Sequence, residues 1–177
     1  MLTIIQQMDV AILLWIQENL RSDIWTGFWK AVTHLGDSGW FWIVLGLVLL
    51  LFKKTRRTGI AVMIALMIGA LITNLIIKNS VARIRPYDFT DQIILLIGKQ
   101  WDYSFPSGHS CASFAAAYVC LKRLKPVYGS AAMILAVLIA FSRLYVGVHY
   151  PTDVIGGIII GLFSGWAALR LVSKSKE

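Results

Sequence analysis

Ser142-Arg143-Leu144-Tyr145-Val146-Gly147-Val148-His149-Tyr150-Pro151-Thr152-Asp153 joins two strongly apolar segments, one running from Pro126 or Val127 to about Tyr145 and the other from Thr152 to Val172. It sets Arg143, His149 and Asp153 at the mouth of a hydrophobic bundle, where a charge without a use is expensive to keep. A His followed four positions later by an Asp, across a Pro-broken turn, can donate one ring nitrogen to the carboxylate. The other nitrogen is left as a lone pair facing a substrate. Arg143, near the end of the preceding helix, offers a planar fork that suits phosphate. The plainer reading is that Thr152 and Asp153 cap the next helix and that His149 is a satisfied core imidazole.

Composition places the chain in a membrane. Of its 177 residues 58% are hydrophobic and 15% charged, with seven Trp and a mean hydropathy of +0.71, far from the range of soluble domains. The net charge of +8 does not imply nucleic acid, because the basic residues form short clusters between apolar runs instead of a stripe along one face. Met1 to Leu20 lacks a basic start and carries Gln6, Gln7, Asp9 and Glu18, so no cleavable signal peptide is expected. Cys111 and Cys120 are nine residues apart on one expected helix, about 13 Å along its axis and on opposite sides, which makes them apolar fillers and not a bridge.

Residues 1–34 hold two short segments, Met8 to Leu20 and Ile24 to His34, that mix aliphatics and Trp with charge. Neither supplies the roughly 20 apolar residues a span needs. They read as amphipathic interfacial helices with Trp15, Trp25 and Trp29 as belt anchors, or as one bent first span. His34 lacks a partner motif and reads as structural.

The expected architecture of residues 35–177 is an all-α polytopic bundle. Its spans are Leu35 or Ser38 to Phe52, Thr58 to about Ile77, Ser107 to Leu121, and the two segments flanking the opening stretch. That makes five spans, or six if residues 1–34 cross. Asn79 to Pro106 is the longest non-spanning stretch, and its apolar patch Ile93 to Ile97 suggests a lid or interfacial hairpin. Gly156, Gly157, Gly161 and Gly165 in the last span suit close helix contact.

Counting spans gathers the polar residues. Lys78 closes the second span, Ser107 to His109 open the third, Arg143 closes the fourth and Asp153 opens the fifth, all on one face. The opposite face receives Lys53, Lys54, Arg56, Arg57, Lys122, Arg123, Lys125, Arg170, Lys174 and Lys176, with Glu177 its only acid. The positive-inside rule makes that basic face cytoplasmic and turns the polar cluster outward.

Three motifs therefore stand together at 78–86, 106–109 and 142–153. They are Lys78 with Arg85-Pro86 after six intervening residues, Pro106-Ser107-Gly108-His109, and Ser142-Arg143 followed by His149 and Asp153 at intervals of five and three residues. This set resembles the three-part signature of the type-2 phosphatidic acid phosphatase superfamily, which includes lipid phosphatases, glucose-6-phosphatase and vanadium haloperoxidases. The short bundle around it is similar to the small bacterial membrane members, undecaprenyl pyrophosphate phosphatases among them.

Elementary chemistry agrees with the resemblance. Cleaving a phosphomonoester or pyrophosphate needs positioning and stabilisation of charge on the equatorial oxygens. Lys78, Arg85 and Arg143 would surround those oxygens, and Ser107 with the Gly108 amide would bind at the positive end of the third span. The resemblance implies that His149 forms a phosphohistidine, that Asp153 orients it, and that His109 protonates the leaving oxygen and then activates water. Taken singly, Lys78 could be a snorkelling helix-end lysine, Ser107 an ordinary N-cap and Arg143 a structural partner of Asp153. Arg83 lies beside the first motif and is left outside the expected site.

Two-metal phosphatases need clustered carboxylate and His ligands. Only Asp153 lies within the motifs, while Asp88, Asp91 and Asp102 are scattered through the loop, so turnover without metal or other cofactor is expected. The expected partners are a phosphorylated lipid and the surrounding membrane lipids. Undecaprenyl pyrophosphate at the outer face of a bacterial plasma membrane is the preferred substrate, with phosphatidylglycerophosphate and phosphatidic acid as alternatives. A lipid-linked phosphotransferase and a non-catalytic lipid-binding or transport protein are the readings of a different class.

Overall fold

The computed structural model describes residues 3–174, so Lys176 and Glu177 of the expected basic face lie outside the described residues. The described residues form only helices, turns and loops. In order these are α1 (Ile4–Asn19), α2 (Asp23–Leu35), a 3₁₀ turn (Asp37–Gly39), α3 (Trp40–Leu51), α4 (Arg56–Ala70), a π-helical segment (Leu71–Ile77), α5 (Lys78–Val81), α6 (Pro86–Phe89), α7 (Gly108–Arg123), α8 (Pro126–Tyr145) and α9 (Pro151–Lys174). Among the described residues three stretches are long and apolar enough to cross a membrane: Arg56–Phe89, Pro126–Tyr145 and Pro151–Ser173. A fourth arises if α2 and the Asp37–Leu51 segment, bent by 46° at their junction, count as one broken span. Alone, the 12 residues of α3 reach about 18 Å, well short of a ~30 Å hydrocarbon core.

The 16-residue α7 is the axis of the bundle. Ala115, Ala116, Ala117, Val119 and Cys120 are fully buried, and α3, α4, α8 and α9 pack around it. Its tightest seam is with α9, where glycines recur every fourth residue. A Cβ at Gly161 would meet the Cys111 carbonyl oxygen at 2.5 Å, and one at Gly165 would meet that of Ala115 at 2.8 Å. The backbones are in contact, as small-residue spacing permits in a membrane, where dispersion replaces the hydrophobic effect between helices. This seam carries the N-terminus of α7 against that of α9, where Ser107 N–H donates to the Asp153 carbonyl at 3.0 Å.

Residues 3–34 are tied into the bundle. Asp9 of α1 is buried, accepting from Arg83 at 2.7 Å and from the Thr152 hydroxyl at 2.5 Å. Arg21 donates to the carbonyls of Tyr145 at 2.9 Å and Ile94 at 2.8 Å. Trp15 and Trp25 are exposed, as belt anchors would be. Trp29 differs: its ring lies 4.9 Å from Phe141 and 5.6 Å from Tyr145, packed against α8. The Ile93 to Ile97 patch also turns inward for the most part. Ile93 is buried with Leu13 and Tyr150, and Leu95, Leu96 and Ile97 pack near Val146 and Val148, leaving Ile94 exposed.

The α7–α9 seam makes a direct prediction. Gly161→Ala should lower stability in detergent by ~1–3 kcal/mol, because the added methyl meets backbone that cannot give way. Gly27→Ala in α2, where a Cβ meets nothing within 4 Å, should be neutral or stabilising by up to about 1 kcal/mol. Thermal unfolding followed by Trp fluorescence compares the two.

Candidate active site

The π segment with the start of α5, the start of α7, the end of α8 and the α8–α9 connection line a cavity of about 460 Å³ whose wall includes Lys78, Arg85, Gly108, His109, Arg143 and His149. Six of the eight expected site residues thus share one enclosure, although they are drawn from stretches scattered over 72 positions (Lys78 to His149). Each is positioned by a local device. The π segment after α4 re-phases the helix, as such insertions do, and Thr73, Asn74 and Lys78 all come to the cavity wall. Ala82 then ends α5 at a φ of +47°, a left-handed conformation that costs an L residue about 1 kcal/mol or more. It turns the chain so that Arg85 follows on the same wall.

Arg85 is buried and divides its fork: Nε donates to the Asp102 carbonyl at 2.8 Å, Nη1 to the Val148 carbonyl at 2.8 Å and Nη2 to Asp102 Oδ1 at 2.5 Å. Lys78 Nζ pairs with the other oxygen of Asp102. A loop carboxylate therefore sits on two of the three cations. Burial would raise its pKa, but the hydrogen bonds and charges of Lys78 and Arg85 outweigh this and hold it at about 2, so it is ionised at neutral pH. Arg143 is buried at the end of α8, with Nη1 donating to Thr33 Oγ1 at 2.5 Å and Nε without a partner among the described residues.

His149 is buried in the connection between α8 and α9. Its Nδ1 is 3.5 Å from Asp153 Oδ2, near enough for the carboxylate to orient the ring but too far for a well-formed hydrogen bond, and Nε2 is 3.5 Å from Arg85 Nη1. Burial, the largest effect, lowers its pKa to about 3 against the pull of Asp153, with Arg85 and Arg143 adding to the fall, so the imidazole is neutral at physiological pH. Asp153 stands behind it, fully buried and off the cavity wall. It accepts from Arg83 Nη1 at 2.6 Å, from the Tyr150 amide at 2.9 Å and from the Ser104 hydroxyl. Its partner is thus Arg83, not Arg143, and Arg83, left outside the expected site, holds the residue behind His149.

Ser107 is placed differently from the expectation of a phosphate ligand. Its hydroxyl is buried away from the cavity as the N-cap of α7, accepting from the Ser110 amide at 3.4 Å and the Ser110 hydroxyl at 3.0 Å. Gly108 and His109, the next two residues, are the ones at the wall. His109 is mostly buried, with Nε2 3.0 Å from Asp37 Oδ1.

Three cations and two imidazoles on one cavity wall form an arrangement suited to an oxyanion. Residues 58–177 match the PAP2 superfamily, and the chain belongs to it. It is 36% identical over 132 residues to an undecaprenyl-diphosphatase of Sulfolobus acidocaldarius, covering 75% of this chain and 64% of that protein, so it spans just under two thirds of that relative. It is 33% identical over 161 residues to phosphatidylglycerophosphatase B of Bacillus subtilis, covering 83% of this chain and 73% of that protein. Among solved structures, the transmembrane PAP2-type phosphatidylglycerolphosphate phosphatase of Bacillus subtilis superposes with a TM-score of 0.79 at 28% identity, covering 99% of this chain and 90% of that one. The chain is accordingly a multi-pass membrane protein of this superfamily.

Asp102 supplies the prediction from this geometry. Asp102→Asn removes the carboxylate that competes for Lys78 and Arg85, so inorganic phosphate should bind about two- to fivefold more tightly, the range of a half-exposed ion pair. Inhibition of p-nitrophenyl phosphate turnover by phosphate measures it.

Proposed function

We propose that the protein is a lipid phosphatase that removes a terminal phosphate from a lipid phosphomonoester or pyrophosphate through a phosphohistidine at His149. The observation that carries the reading is the convergence of Lys78, Arg85 and Arg143 with His109 and His149 on one cavity. The cations bind the equatorial oxygens of the phosphoryl group, and the Gly108 amide at the head of α7, capped by Ser107, adds the positive end of a helix. His149 Nε2 attacks phosphorus, forming a P–N bond as the P–O bond to the lipid breaks, and Asp153 stabilises the resulting charge on the ring. The departing oxygen takes a proton from His109. The same imidazole then removes a proton from water, which attacks phosphorus, breaks the P–N bond and frees phosphate.

The preferred substrate is undecaprenyl pyrophosphate. Similarity to the undecaprenyl-diphosphatase supports it, and phosphatidylglycerophosphate is the alternative that the similarity to phosphatidylglycerophosphatase B supports. In this reading residues 35–177 are the phosphatase domain, with five spans in a bacterial plasma membrane. Residues 1–34 lie along the interface or complete a bent first span. Lys53, Lys54, Arg57, Lys122 and Lys125 stand at the helix ends opposite those that line the cavity, which favours an extracytoplasmic site by the positive-inside rule. Charge stabilisation comes from the three cations, so turnover needs no metal.

Phosphate release from undecaprenyl pyrophosphate in detergent with a chelator present tests the proposal. Wild type should turn over with His149→Ala reduced by at least ~10³-fold. Chelator-sensitive wild-type activity, or a His149→Ala variant of near wild-type rate, would contradict it.

A further inference from the structure

Asp37 lies outside all three signature motifs, in the turn Gly36-Asp37-Ser38-Gly39 between α2 and α3. Its two oxygens are divided between two imidazoles: Oδ1 is 3.0 Å from His109 Nε2, and Oδ2 is 2.7 Å from Nδ1 of the exposed His34. A carboxylate can only accept here, so both of those ring nitrogens carry the proton.

The turn is shaped to deliver this contact. A Cβ at Gly36 would meet His109 Cδ2 at 2.5 Å and Ile139 Cγ2 at 2.8 Å, so a side chain there would push the backbone off the imidazole. Ser38 and Gly39 follow with φ of +50° and +67°. A left-handed serine is a conformation that persists only where its surroundings impose it, and such residues gather at functional sites. Gly36, Ser38 and Gly39 all line the cavity. The 46° bend between the two helical arms is therefore also the wall that faces His109.

We propose that Asp37 is the positioning residue of His109, fixing its tautomer and ring plane and stabilising its imidazolium form; this rests on the reading of His109 as the proton donor to the leaving oxygen. With Nε2–H held by Asp37, the proton delivered to substrate leaves from Nδ1. The leaving oxygen takes it as the P–O bond breaks, and His109 becomes neutral. In the second half-reaction Nδ1 takes a proton from water, and the Asp37 carboxylate again stabilises the imidazolium. The site then holds two carboxylate–imidazole pairs, Asp153 with the nucleophile and Asp37 with the acid–base.

Leaving-group dependence separates this role from a structural one. An alkyl lipid phosphate expels an alkoxide that needs a proton, whereas p-nitrophenyl phosphate expels a phenolate that does not. The parameter to compare is kcat/KM, which covers the steps through P–O cleavage and excludes the shared hydrolysis of the phosphoenzyme. Asp37→Asn keeps the side-chain size and removes the charge. It should lower kcat/KM on the lipid phosphate by ~10- to 100-fold, as loss of an orienting carboxylate typically does, and by less than about threefold on the aryl ester. Asp37→Glu should recover part of the lipid activity. An active wild type whose Asp37→Asn variant loses equally on both esters, or on neither, overturns the proposal alone. A wild type no more active than His149→Ala on either ester overturns the hydrolase reading and this proposal with it.

Discussion

Asp153 is a carboxylate with no exposed surface at the head of a membrane-spanning helix. An unpaired charge in such a place costs several kcal/mol, so its neighbourhood has to supply donors. Arg83, Ser104 and the Tyr150 amide do so from three different segments. Arg83 in turn holds Asp9, which binds the amide and hydroxyl of Thr152. One buried carboxylate thereby fixes α1, the long loop and the α8–α9 connection relative to one another, and His149 is presented from the middle of that network.

The same logic runs through the cation cluster. Lys78, Arg85 and Arg143 are all buried, and like charges in a low dielectric repel unless something negative stands between them. Asp102 fills that position for Lys78 and Arg85. A phosphoryl group is the chemically equivalent occupant, with more oxygens to share among three cations. The resting arrangement thus holds the loop on the site through the same two residues proposed to bind the phosphoryl group.

Much of the site was legible because its chemistry is written as spacing. Lys78 to Arg85, Pro106 to His109 and Arg143 through His149 to Asp153 each form a short pattern, and span counting alone brought their helix ends together. The glycines of α9 were legible for the same reason. Asp37, Asp102 and Arg83 were not: each is a single charged residue in a loop or turn, and its partners in the site lie at least 17 positions away in sequence. Ser107 carried two valid readings, ligand and cap, and only the direction of its hydroxyl separated them. That α2 and α3 reach the length and hydropathy of a span only together was obscured because neither arm alone does so. The Gly-flanked turn between them reads as a boundary, although it is a bend that serves the cavity.

The central claim is that the neutral, buried imidazole of His149 takes the phosphoryl group. Mixing wild-type protein with a terminally ³²P-labelled lipid pyrophosphate, quenching in alkali within the first turnover and mapping the label by peptide digestion tests it directly. The account predicts acid-labile, alkali-stable label on the peptide containing His149. Turnover with no protein-bound label, or label on His109 instead, would contradict it.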